Sequence, residues 1–306
     1  YIAAENRYME GDCQRAVSGF SNYINKFPLG AFLINSYFYK AECDYKSGNI
    51  NEALAGYEYV INAPKSKFTE KSLLNSAEIT YRQKKYEKAL QYYQRLETSA
   101  EFNNNILLAR VGIMRSSYQA NKFDIAISAS NQLLTTPKIS NELSDEAHYT
   151  IAKSALNLDS ISLAQTEFGI LAKSKNGELS SEAKYNLAFI QYKLGNYQKA
   201  ESIIYEYISA APSSEYWLAK TLILWSDIYV QMGNYIQAKA TLQSIIDKYD
   251  GPDLVKIANE KYNEILAIEK QKNEQNKKEK SAKDDEIKIN IDKSNSLNDN
   301  TIDNNF

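Results

Sequence analysis

The stretch SEAKYNLAFIQYKLGNYQKAESIIYEYISAAP, residues 181–212, decides the fold. Its apolar and small residues Ala183, Leu187, Ala188, Tyr192 and Leu194 fall at helical spacing. The turn Gly195-Asn196-Tyr197 follows, and a second helix carries Ala200, Ile203, Ile204, Tyr207 and Ile208 until Pro212 stops it. Glycine at the turn supplies the left-handed backbone that ends a helix. Residues 181–212 therefore read as one helical hairpin.

The hairpin repeats. Ala200 belongs to a ladder of Ala16, Ala53, Ala89, Ala126, Ala164, Ala200 and Ala238, whose spacing stays between 36 and 38 residues. A steady period of this length marks stacked supersecondary units. Gly11, Gly48 and Gly233 occupy the turn in three other units, while Lys84, Asn121 and Asp159 take that place in units three to five. All five prolines, Pro28, Pro64, Pro137, Pro212 and Pro252, fall just after a predicted second helix, where they interrupt no helix interior. The periodic alanine is small because the two helices of a hairpin approach most closely there.

Composition narrows the function classes. The 306 residues carry a net charge of −2, so no basic excess exists to neutralise phosphates and nucleic acid is not an expected partner. No apolar run of about 18 residues is present to span a bilayer. The chain shows no phosphate-cradling loop, metal-ligand cluster or nucleophile motif, so no catalytic residue, metal or cofactor is expected. The sole histidine, His148, reads as an exposed or packing residue beside Asp145 and Glu146. Cys13 and Cys43 lie in adjacent helices, and the expectation is two buried free thiols, because the geometric window for a disulfide is narrow.

Tyr192, Gly195, Tyr197, Ala200 and Pro212 resemble the tetratricopeptide repeat (TPR) in their spacing. So do Tyr8, Gly11, Ala16, Phe20 and Pro28, and Tyr45, Gly48, Ala53 and Tyr57. Unit five departs, with Leu156, Asp159 and Ile161 at the aromatic and glycine positions. The resemblance implies an all-α, right-handed solenoid of about seven helix hairpins over residues 1–268, closed by a capping helix at 252–268. A frayed helix and disordered charged tail are expected over 269–306; within 270–306, eight lysines and eight acidic residues accompany a single aromatic, Phe306. Tyr1 falls inside the first helix of the register, which leads us to expect further repeats upstream in the parent protein. The period exceeds the family's usual length of about 34, and stretches such as residues 20–30 and 245–266 resemble a long-repeat subset. That subset includes periplasmic proteins linked to outer-membrane protein assembly and to the Tol–Pal system.

In this family the position eleven residues before the periodic alanine faces the concave groove. Here it reads Glu5, Glu42, Glu78, Arg115, Lys153, Phe189 and Asp227, three acids followed by two bases, which reads either as a solvated helix face or as a polarised groove able to orient an extended partner. Phe38, Leu74, Tyr149 and Tyr185 stand nearby and are expected to supply apolar and aromatic footholds. Some chaperone-binding members hold a partner's terminal carboxylate in a clamp. Only fragments of it occur here, including Lys71 and Asn75, and the glutamates oppose it. The expected function is a noncatalytic scaffold that binds a protein or extended peptide, in the periplasm or at the outer membrane. The alternatives are a cytoplasmic adaptor and the positioning region of a larger enzyme.

Overall fold

A computed structural model describes residues 1–299, and among them all regular structure is helical: fifteen α-helices and no strand. The chain divides into two compact units, Tyr1–Leu171 and Ala172–Phe306. The first contains α1 (Ile2–Met9), α2 (Cys13–Lys26), α3 (Leu33–Lys46), α4 (Ile50–Asn62), α5 (Thr69–Arg82), α6 (Tyr86–Ser99), α7 (Asn103–Gln119), α8 (Phe123–Leu134), α9 (Asn141–Asn157) and α10 (Ile161–Leu171). The second contains α11 (Gly177–Lys193), α12 (Tyr197–Ser209), α13 (Glu215–Gln231), α14 (Tyr235–Lys248) and α15 (Pro252–Asp299).

Each odd helix up to α13 pairs with the even helix after it, giving the seven hairpins read from the alanine ladder. All seven ladder alanines are fully buried. The close approach is visible at Gly56, where an added Cβ would sit 2.8 Å from the Ala41 Cβ.

Every hairpin turn uses the same capping geometry. In the first, the Gly11 N–H donates to the Tyr8 carbonyl and the Asp12 N–H donates to the Arg7 carbonyl, at 3.0 and 2.9 Å. This double bond pattern satisfies two carbonyls that the helix end would otherwise leave open, and it requires positive φ at the intervening residue. Gly11, Gly48, Gly195 and Gly233 adopt it at φ of 76–81°. Lys84, Asn121 and Asp159 do so at 60, 57 and 53°, as the register anticipated. Pro252 opens α15, the place in a helix where a missing N–H costs nothing.

Within the first unit α1 touches α3, α5 touches α7 and α7 touches α9; within the second α11 touches α13 and α13 touches α15. Within each unit these helices therefore stand side by side. Helix α15 starts where the cap was placed and continues to Asp299, past residue 268. Residues 300–306, with the Phe306 of the charged tail, lie outside the described residues.

One expectation is overturned outright. Cys13 and Cys43 form a disulfide and are not free thiols. Cys13 starts α2 and Cys43 lies near the end of α3, and the packing of these helices brings the two Cα atoms to 5.1 Å, within the range a disulfide spans.

Candidate functional site

All nine sequence-predicted groove residues stand on first helices: Glu5 on α1, Phe38 and Glu42 on α3, Glu78 on α5, Arg115 on α7, Tyr149 and Lys153 on α9, Tyr185 and Phe189 on α11. Seven belong to the first unit and two to the second. Their surroundings correct the picture of a strip of free charges.

Two of the nine are buried. Phe38 is 5% exposed because Phe68, at the entry to α5, stacks on it at 4.3 Å between ring centroids. It belongs to the core and offers no foothold. Glu42 is 8% exposed and fully partnered. The Tyr57 hydroxyl donates to its Oε1 at 2.6 Å, Asn75 Nδ2 donates to the same oxygen at 3.0 Å, and Lys71 Nζ lies 2.6 Å from Oε2. Burial and then the Glu42 carboxylate raise the Tyr57 pKa, which keeps its hydroxyl a donor. Lys71 and Asn75, the fragments of a carboxylate clamp, therefore hold a carboxylate of their own chain.

The pairing has a rule. Lys71 lies eighteen positions before Ala89, in the repeat after that of Glu42. Arg115 obeys the same rule with Glu146, which lies eighteen positions before Ala164; Nε and Nη2 meet the two carboxylate oxygens at 2.6 and 2.7 Å. This two-pronged match fixes the guanidinium plane. Glu5 accepts from Tyr1, whose hydroxyl also accepts from Asn35, the residue eighteen positions before Ala53. In the second unit Asp227 meets Lys261 of α15 at 2.7 Å. Burial raises the Asp227 pKa, and the lysine offsets part of that effect. Glu42, Arg115 and Asp227 are thus each paired with an opposite charge on a later helix, while Glu5 is satisfied by the Tyr1 hydroxyl.

Glu78 breaks the rule. The residue eighteen positions before Ala126 is Leu108, and where Glu42 meets Asn75 the corresponding residue is Gly112. Among the described residues no side chain gives Glu78 a hydrogen bond or ion pair. It opens onto a cavity of about 120 Å³ walled by Leu74, Leu108 and Val111, with the rings of Tyr81 and Tyr93. Gly112 forms the floor, and any Cβ there would collide with the Tyr93 ring. Burial, and then the charge of Glu78, push the Tyr93 hydroxyl up to about 12.

The aromatic groove positions carry cations of their own chain. Lys153 lies 5.7 Å from the centre of the Tyr149 ring, and Lys193 lies 5.3 Å from that of Phe189. Lys220, eighteen positions before Ala238, lies over Tyr185 at 5.1 Å and over Trp217 at 4.7 Å. Tyr185 and Phe189 stack with ring centroids 6.0 Å apart. Burial pushes the Tyr185 hydroxyl up to about 12.

His148 is a packing residue: its Nδ1 lies 2.6 Å from Glu167 Oε2, with both side chains largely buried. Among the described residues no cluster of histidine, cysteine and carboxylates is arranged to hold a metal, and no helix is long and apolar enough to cross a membrane.

These hairpins and their recurring turn geometry define a helical-repeat protein. The family model of the tetratricopeptide repeat matches residues 149–215. Two solved structures support the same repeat fold. The C-terminal part of a TPR repeat-containing protein from Cytophaga hutchinsonii is 15% identical, with a TM-score of 0.54 over 83% of this chain and 97% of that one. The apo form of RapI is 14% identical, with a TM-score of 0.55 over 84% of this chain and 78% of that one. A tetratricopeptide repeat protein from Parabacteroides merdae aligns at 16% identity and a TM-score of 0.43, covering 86% and 96% of the two chains. No curated protein matches the chain.

The pairing rule and the Glu78 cavity are what sequence reading missed. The alanine register sets Lys71 against Glu42, Glu146 against Arg115 and Leu108 against Glu78, but that these positions meet is seen only in the structure.

Proposed function

We propose that this chain is a noncatalytic scaffold of the bacterial cell envelope that binds a partner protein through the exposed sides of its first helices. The repeat architecture supports the binding role, because stacked hairpins expose extended surfaces. First helices carry half-buried aromatics in each unit, Tyr149 in the first and Tyr185 and Phe189 in the second, and aromatic side chains of this kind supply much of the energy of protein association. The observation that carries the location is the Cys13–Cys43 disulfide, since such bonds persist in oxidising compartments and are rare in the cytosol. The subset resembled by the long repeats is periplasmic, which agrees with that chemistry.

Two measurements test the proposal. Thiols are trapped in intact cells by acid quench and alkylation under denaturing conditions; a blocked, reducible Cys13–Cys43 pair is expected, and two free thiols would favour the cytoplasmic adaptor. A photo-crosslinking residue is placed at Phe189 or Lys153 on first helices and at Gln91 or Lys199 on second helices. One discrete partner band from the first-helix positions is expected, and equal capture from the second-helix positions would overturn the groove assignment.

A further inference from the structure

The chain contains a filled version of its own empty pocket. At Glu42 the acidic groove position is occupied by the Lys71 ammonium, which also lies 5.6 Å from the centre of the Phe38 ring. At the equivalent place in the second unit Lys220 rests over Tyr185 and Trp217. A cation between a carboxylate or aromatic rings is therefore the arrangement this repeat builds at that site. A carboxylate supplies the charge, and ring faces supply a negative quadrupole.

At Glu78 the carboxylate and the rings are kept but the cation is absent. Leu108 stands where Lys71 stands, and it is 38% exposed. Gly112 replaces Asn75, and the space it leaves is taken by the Tyr93 ring. Arg115 also borders the cavity, but both prongs of its guanidinium are committed to Glu146. What remains is a half-buried, unpaired acid beside two tyrosines and three aliphatic walls, in about 120 Å³. That volume is room for the end of one side chain.

We propose that the Glu78 cavity receives a lysine side chain from an extended segment of the partner, its ammonium on the Glu78 carboxylate and its methylenes along Leu74, Leu108 and Val111. The partner's lysine completes in trans the arrangement that Lys71 completes in cis at Glu42. This inference rests on the scaffold reading and names what one part of that surface recognises.

The test uses pooled, acetylated and amide-capped octapeptides with a fixed central lysine, beside pools fixed to norleucine, arginine or glutamate. Binding to the full chain is measured by fluorescence anisotropy for the wild type, Glu78→Gln and Leu108→Lys. The wild type is expected to prefer the lysine pool over the norleucine pool about tenfold or more, a preference that weakens as salt is raised. Glu78→Gln removes a charge without leaving a buried partner unsatisfied, and it is expected to erase the preference. Leu108→Lys is expected to erase it by supplying the ammonium internally, with a melting temperature no lower than the wild type's. An equal or stronger preference for the arginine pool would overturn the assignment to lysine. The inference is overturned if the lysine preference survives Glu78→Gln, or if the lysine and norleucine pools behave alike, including the case in which neither binds. A partner crosslinked at Phe189 or Lys153 whose binding ignores both variants would leave the scaffold standing and remove only this pocket.

Discussion

The Lys71 ammonium lies 2.6 Å from the Glu42 carboxylate and ties α3 to α5, the first helices of successive hairpins. The lysine is more than half exposed, while the glutamate is buried. The two sides of the pair therefore differ in what their removal leaves behind. Lys71→Ala leaves Glu42 with Tyr57 and Asn75 as donors and an open path to water, and is expected to cost less than about 1 kcal/mol. Glu42→Ala strips a partner from the buried Tyr57 hydroxyl and is expected to cost about 1–3 kcal/mol. Urea midpoints of the two variants check the order.

The disulfide closes a 30-residue separation between Cys13 and Cys43. By chain entropy a loop of that length is worth roughly 3–4 kcal/mol. Because each repeat contacts only its neighbours, the loss should stay local. Replacing both cysteines with alanine is expected to expose the α1–α4 region to proteolysis first, while fragments from α5 onward persist. Limited proteolysis with mass spectrometry reads this directly; uniform cleavage along the chain would contradict it.

Lys84 holds φ of 60° at a turn where four other hairpins use glycine. A side chain in that conformation costs roughly 1–2 kcal/mol, part of which glycine returns as lost chain entropy. Lys84→Gly is therefore expected to stabilise the chain by about 0.5–1 kcal/mol, and Gly195→Ala to destabilise it. Thermal melts of the two variants should move in opposite directions.

Two carboxylates predict opposite acid responses. Burial disfavours the Glu58 carboxylate, but Lys88 and the Tyr92 hydroxyl outweigh it, so its pKa is lowered. Its contribution to stability is present above the ordinary glutamate range and is lost as pH falls through the lowered folded value. Asp227 has a raised pKa, so its ionised form costs the native state at neutral pH, and that cost disappears as pH falls through the raised value. Between pH 7 and pH 3, Glu58→Gln should lose less stability than the wild type, and Asp227→Asn should lose more. Urea midpoints across that range check both signs.

The ladder alanine can also be tested for tightness. Ala200 is fully buried between α11 and α12, and Ala200→Leu is expected to cost about 1–3 kcal/mol by overpacking. A wild-type melting temperature in that variant would mean the helices do not meet there.

Much of the fold was legible because its causes are local. Helical spacing around Ala200, proline at Pro212 and positive φ at Gly195 or Lys84 act within a few residues. A linear reading resolves them, and hairpin boundaries follow. The site was legible only as a set of positions. Glu42 and Glu78 occupy the same place in their repeats and look alike in the chain. They differ because one faces Lys71 and Asn75, 29 and 33 positions away, and the other faces Leu108 and Gly112.

The sequence by itself therefore determined the seven hairpins, their turns and the small residue at each helix contact, since backbone preference and hydrophobic period are written residue by residue. Tertiary structure alone decided three things: that Cys13 meets Cys43, that Phe38 is buried under Phe68, and that Glu78 keeps an unpaired charge. Each depends on which side chains the stacking of successive repeats brings within a few ångströms, and a charge or thiol acquires its chemistry from that neighbour.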